Sequence, residues 1–168
     1  MVNNIKDQGI CVSCVVFSIV SDVEIYYARK KLKKKIKIKT IFSEQQILDW
    51  LYEKKNICDD GVSEKEVFQY IQNFGLMEAK YYPYKSGKKE EVFNCKYDKS
   101  KVDSLSKIPG YKKITKPKID DIKKYVIKKG PVSTGIFAGC QLFQDYTDKD
   151  GIMSITKEEC DNSPKSAD

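Results

Sequence analysis

The sequence predicts an α+β fold, helical first and strand-bearing later. Three observations carry this. A mostly apolar run over residues 15–20 continues as Val23, Ile25 and Tyr26, which reads as a buried helix. Two capping boxes, Ser43 with Gln46 and Ser63 with Glu66, open further helices. Gly130 and Pro131 end a helical pattern over residues 119–129 and lead into a strand-like stretch at 130–137.

Composition narrows the class. At 168 residues the chain is one domain, or one and part of another. Hydrophobic residues make up 40%, enough for a core, and charged residues 33%, somewhat above the usual share. No run approaches the length of a membrane span. The first apolar stretch has neither a basic leader nor a small-residue cleavage site, so no signal peptide is read there. Six cysteines point to an oxidising compartment. Histidine is absent, which removes the usual side chain that titrates near neutral pH.

The chemistry-bearing stretch is Gln8-Gly9-Ile10-Cys11-Val12-Ser13-Cys14. Cys14 falls where the apolar helix begins. Unpaired backbone N–H groups and the helix dipole favour an anion there, which suits a thiolate nucleophile. Gln8 is an uncharged side-chain donor of the kind that steadies a developing oxyanion. Zinc would need a second close cysteine pair, and none exists, so neither metal nor other cofactor is expected. A redox dithiol should follow a strand, and nothing strand-like precedes Cys11. On these residues alone, a nucleophile and a pair of inert core cysteines both stay open.

The remaining elements follow in order. Arg29, Lys30, Lys31 and the lysines up to residue 39 read as a solvated helix end running into a loop, since no aromatic is interleaved to stack a base. No specific nucleic-acid partner is expected, although a net charge of +7 predicts salt-sensitive adhesion to polyanions. Residues 42–50 start a second helix with Ile47, Leu48 and Leu51 on its apolar face. Cys58-Asp59-Asp60-Gly61 is a turn, followed by a helix over 63–74 that Gly75 stops. Tyr81-Tyr82-Pro83-Tyr84 is a loop with packing aromatics, residues 99–107 are a polar connector, and 109–114 reads as a short strand.

Five of these segments, in this order, resemble papain-like cysteine peptidases. Cys11-Val12-Ser13-Cys14-Val15 is similar to the family pattern C-G-[SA]-C-[WY], with Val12 for the glycine and Val15 for the aromatic. Residues 42–50 resemble the family's Leu-Ser-Glu-Gln-Gln-Leu-Val-Asp-Cys, with Trp50 in the cysteine's place. The turn at Cys58 resembles Cys-Asn-Gly-Gly, the loop at Tyr82 resembles Tyr-Pro-Tyr, and residues 130–136 resemble Gly-Pro-Val-Ser-Val-Ala-Ile. Phe143, Tyr146, Gly151 and Ile152 continue the similarity toward Asp168.

The resemblance implies a papain-like fold: a helical lobe over about residues 8–99, then an incomplete β-barrel lobe over about 100–168. It implies a cysteine-type peptidase with Cys14 as nucleophile and Gln8 at the oxyanion. Cys11 would pair with Cys58, Cys95 would keep its thiol unless it met Cys140, and Cys160 would keep its thiol because the family's partner lies further downstream. Gly61 would pair with the substrate backbone, Asp60 would bring acidity to the cleft rim, and Val62, Ser63 and Gly135 would line the specificity pocket. The family's histidine falls directly after Asp168, so the chain reads as a truncated form whose 168 residues alone are inactive. The rival reading is a catalytically dead paralogue that binds peptides or a peptidase inhibitor. Implied partners are a peptide or protein substrate and an inhibitor or propeptide, and the implied location is lysosomal or secreted.

Overall fold

The computed structural model describes residues 4–33, 40–52, 57–88, 93–136, 138–146, 151, 153 and 155–162. The lysine run at 34–39, Phe137, Ile152 and Asp168 lie outside the described residues.

The first compact unit, residues 1–133, is built around one long helix. Helix α1, Cys14–Lys33, places Val16, Ile19, Val20, Val23 and Tyr27 on one buried face. Their spacing of three and four residues is the helical repeat that a single apolar stripe requires. Against it pack α2 (Gln45–Tyr52), through Ile47, Leu48 and Leu51, and α4 (Glu64–Phe74), through Val67, Tyr70 and Ile71. Ile57 and Cys58 of the short α3 (Ile57–Asp60) close the same core. Each such aliphatic side chain removed from water contributes about 1.5–3 kcal/mol.

The two expected capping boxes diverge. Ser63 and Glu66 form both arms at the start of α4. At α2 the Gln46 amide N–H donates to Ser43 Oγ at 3.1 Å, but the Gln46 side chain does not return to Ser43. It is buried and spans to the chain after α4 instead: Nε2 donates to Tyr70 Oη at 2.8 Å and to the Gly75 carbonyl at 3.0 Å, and Oε1 accepts from the Met77 amide at 2.7 Å. Three buried polar groups need partners there, and one glutamine satisfies them.

Trp50 stands where the resemblance has a cysteine. Its ring packs on Tyr70 at 4.8 Å and on Phe74 at 5.4 Å, and Phe74 meets Tyr97 at 5.7 Å. Aromatic packing thus holds this corner together, and Cys95 lies outside both disulfides.

Helix α5, Ile119–Lys128, forms where its periodicity places it, yet none of its residues is buried. Among the described residues, those expected as strands at 109–114 and 130–136 do not pair into a ladder. Isolated β-bridges join Phe42 with Glu78 and Met77 with Val102. Alternating apolar residues suit a strand, but a strand needs a partner to fill its hydrogen bonds.

The second unit, residues 134–168, carries α6 (Gln141–Gln144) and α7 (Lys157–Asn162). A Cys140–Cys160 disulfide joins them. This corrects the expectation that Cys160 keeps its thiol: a nearer partner, 20 residues away in sequence, takes it. Among the described residues no helix is long and apolar enough to cross a membrane.

Candidate active site

Cys14 is the first residue of α1, exposed and unpaired. The loop before it is fixed at several points. Cys11 is bonded to Cys58, with Cα atoms 4.3 Å apart, and the Val12 amide donates to the Cys58 carbonyl at 3.0 Å. Ser13, fully buried, bonds the Cys11 carbonyl and lies 3.2 Å from Tyr84 Oη. Tyr84 Oη in turn donates to the Gln8 carbonyl at 2.6 Å, and its ring meets Phe17 edge-on at 4.9 Å.

Gly9 is the sharpest constraint in this loop. Its φ is +61°, and a Cβ there would sit 2.1 Å from the Gly87 carbonyl oxygen. Only glycine lets the two backbones approach this closely. Their contact allows the Ile10 amide to donate to the Gly87 carbonyl at 3.2 Å. The 84–87 loop is itself held from below: buried Gln45 accepts from the Lys85 and Ser86 amides and donates to Ser86 Oγ. A side chain on α2 therefore fixes the loop that fixes the Cys14 loop.

The Gln8 side chain donates from Nε2 to the Cys11 carbonyl at 3.1 Å. A primary amide carries two N–H donors, so this bond orients the group and commits one of them.

A further cluster anchors the approach to Gln8. Lys6 Nζ lies 2.6 Å from both Glu24 Oε1 on α1 and Glu44 Oε1 before α2. Glu24 also accepts from the Phe42 amide at 2.8 Å. Burial pushes the Glu44 carboxyl above its ordinary value, and Lys6 opposes this only in part. Sequence reasoning missed Lys6, Glu24, Glu44 and Tyr84. The two glutamates are 18 and 38 residues from Lys6, and no local pattern links them.

Of the other candidate residues, Gly61 adopts φ +66° at the end of α3, a conformation that favours glycine, and its vacant Cβ position faces Val12 Cγ1 at 3.6 Å. Asp60 is exposed beside it. Val62 is buried in the core, and Ser63 is the N-cap of α4, its Oγ 2.7 Å from Glu66 Oε2. The first unit thus brings together Gln8, Cys11, Val12, Cys14, Cys58 and Gly61, while Gly135 belongs to the second. Among the described residues no group of three or more Cys, Asp or Glu is arranged to hold a metal ion.

Comparison with known proteins gives the family of the chain. A family model described as papain family cysteine protease matches residues 1–167. A cathepsin L-like protein of Caenorhabditis elegans is 32% identical over 162 residues, covering 95% of this chain and 43% of that protein. Vignain of Phaseolus vulgaris is 34% identical over 149 residues, covering 88% and 38%. The structure of digestive procathepsin L 3 from the Tenebrio molitor larval midgut superposes with a TM-score of 0.62 at 26% identity, covering 76% of this chain and 38% of that one. The chain belongs to the papain family of cysteine proteases. It spans less than half the length of these relatives.

Proposed function

We propose that the chain is a cysteine-type peptidase domain, acting on peptide bonds by thiolate attack. The observation that carries this is the exposed, unpaired Cys14 at the head of a 20-residue helix, behind a loop that is pinned by a disulfide and carries Gln8. In this reading the Cys14 sulfur bonds to the scissile carbonyl carbon. The oxyanion takes donors from Gln8 Nε2 and the Cys14 backbone N–H. Collapse breaks the C–N bond, and the amine leaves with a proton supplied by a general acid. Water then releases the acyl group from sulfur.

Asp60, Gly61, Val62 and Ser63 form the substrate side of the helical lobe, residues 8–99, and Gly135 belongs to the barrel lobe, residues 100–168. Peptide or protein substrates and a propeptide or peptidase inhibitor are the partners, in a lysosomal or secreted setting. With no histidine among its 168 residues, the chain by itself does not complete the cycle.

One observation favours the second reading, a catalytically dead paralogue that holds a peptide or inhibitor. Val12 is 46% exposed and puts a branched side chain against Gly61, where substrate backbone would lie. The two readings share peptide binding, and the test addresses that first. An iodoacetamide group carried on a short peptide should label Cys14 faster than iodoacetamide alone, and Cys14→Ser should abolish the labelling. Equal rates with and without the peptide would overturn both readings. A further rate increase in Val12→Gly would show that Val12 narrows the approach.

A further inference from the structure

Helix α2 buries two polar side chains, Gln45 and Asp49, each 1% exposed. They stand four residues apart, so they meet on one side of the helix. Gln45 Nε2 donates to Asp49 Oδ1 at 2.8 Å and to Ser86 Oγ at 2.8 Å. Gln45 Oε1 accepts from the Lys85 amide at 2.8 Å and from the Ser86 amide at 3.1 Å. Asp49 is held in turn: Oδ1 accepts from the Phe93 amide at 2.8 Å, and Oδ2 accepts from Tyr82 Oη at 2.7 Å. A primary amide can turn over and exchange its oxygen with its nitrogen. Here that turn would set Gln45 Oε1 against Asp49 Oδ1, acceptor on acceptor. It would also set Nε2 against two backbone N–H groups, donor on donor. Buried groups without partners are costly, so Asp49 fixes which end of Gln45 meets the 84–87 loop.

We propose that Gln45, with its amide turned by Asp49, is a positioning residue for Gln8. The 84–87 loop grips the chain on both sides of Gly9: Tyr84 Oη donates to the Gln8 carbonyl, and the Gly87 carbonyl accepts from the Ile10 amide. Gln45 holds that loop from the core side by two backbone N–H groups and a hydroxyl. A shift of the loop therefore moves the backbone from which the Gln8 amide projects. Gln45 is buried, so it acts through the loop and not on a substrate. The proposal rests on the peptidase reading of Cys14 and Gln8.

The test uses a peptide aldehyde, with the alcohol of the same peptide as control, each measured in the 168-residue protein by its protection of Cys14 against iodoacetamide. Addition of the aldehyde joins the Cys14 sulfur to the carbonyl carbon, opens the C=O π bond and moves the thiol proton to the oxygen. The alcohol has no carbonyl, so the ratio of the two affinities reads the oxyanion donors. Gln45→Met keeps the length of the side chain and removes both ends of the amide, and it should lower the ratio by about tenfold. Asp49→Leu should lower it likewise. Asp49→Asn keeps an acceptor oxygen for Gln45 Nε2 and should retain the parent ratio. In a Gln8→Ala background, Gln45→Met should cause no further loss, because its effect passes through Gln8. A purely structural Gln45 would change stability and leave the ratio alone.

Equal ratios in the parent and Gln45→Met would overturn the proposal, as would a full additional loss in the double variant. Equal losses in Asp49→Asn and Asp49→Leu would remove Asp49 from it. A parent that binds the aldehyde no better than the alcohol would instead overturn the peptidase reading, and the proposal with it. If circular dichroism shows that Gln45→Met and Asp49→Leu do not fold, hydrogen exchange of the parent decides. The Lys85 and Ser86 amides should then be protected as strongly as those of α2, and rapid exchange at both would refute the role of Gln45.

Discussion

The Tyr84 hydroxyl donates to the Gln8 carbonyl at 2.6 Å, although 76 residues separate them. The same oxygen lies 3.2 Å from Ser13 Oγ, on the other side of the loop that leads to Cys14. One phenol therefore holds both ends of the segment between the candidate oxyanion donor and the candidate nucleophile. Tyr84→Phe keeps the ring contact with Phe17 and removes the hydroxyl. The expected result is a loss of about 1–3 kcal/mol, the cost of leaving buried polar groups unmatched, read as a lower urea midpoint. Peptide-directed labelling of Cys14 should slow as well. A variant equal to the parent in both would show that the loop holds its shape without this bond.

The Cys11–Cys58 disulfide closes a loop across 47 residues. In the chain-entropy account, closing a loop of this length stabilises the fold by about 4 kcal/mol. Cys58→Ser should therefore lower stability by that order, and non-reducing peptide mapping of the parent should recover Cys11 linked to Cys58. Because Cys11 stands three residues before Cys14, the variant should also lose peptide-directed labelling at temperatures where α1 is still folded by circular dichroism.

Local chemistry made much of this fold legible, and partner choice made the rest illegible. The apolar stripe of α1, the Ser63 cap of α4 and the extent of α5 all rest on neighbours three or four residues apart. Cys14 and Gln8 stand out in the same way, by residue type and by position before a helix. Gln46 shows where such reading stops. Its spacing from Ser43 predicts a capping box, yet its side chain serves the Gly75 carbonyl and the Met77 amide, about 30 residues on. Cys160 likewise finds Cys140, and the strand-like residues 130–136 find no ladder. Each outcome depends on which groups the fold brings near, a property of topology and not of the local pattern.

Glu44 gives a pH prediction. Burial raises its carboxyl above 4.5, with Lys6 opposing, so the folded chain binds this proton more tightly than the unfolded chain does. The linked contribution to stability is present in full below 4.5 and is lost as pH rises through the folded value. Glu44→Gln mimics the protonated form and leaves Glu24 to pair with Lys6. The variant should be more stable than the parent at neutral pH, with the gap closing as pH falls below 4.5. Urea midpoints across that range test it. A variant less stable at neutral pH would mean that the Lys6 attraction outweighs the cost of burial.

The last prediction is that the 168-residue protein does not turn over peptide substrates, even where Cys14 is labelled readily. Thiolate attack needs only the sulfur and the oxyanion donors, and this chain has candidates for both. Expulsion of the amine needs a proton, and general acid help is worth about 10² to 10⁴ in rate. No imidazole exists here to give it. Among the described residues, burial raises two carboxyls, Asp22 and Glu44, above their ordinary values. Asp22 is raised by burial and accepts a hydrogen bond from Ser133, but it lies eight residues beyond Cys14 along α1, about 12 Å by helical rise. Glu44 is buried and held in an ion pair with Lys6 at 2.6 Å. A fluorogenic peptide assay under reducing conditions, with Cys14→Ser as control, should give the same background for both proteins. Turnover that disappears in Cys14→Ser would refute the prediction and would require one of these carboxyls, or another group, to reach the leaving nitrogen.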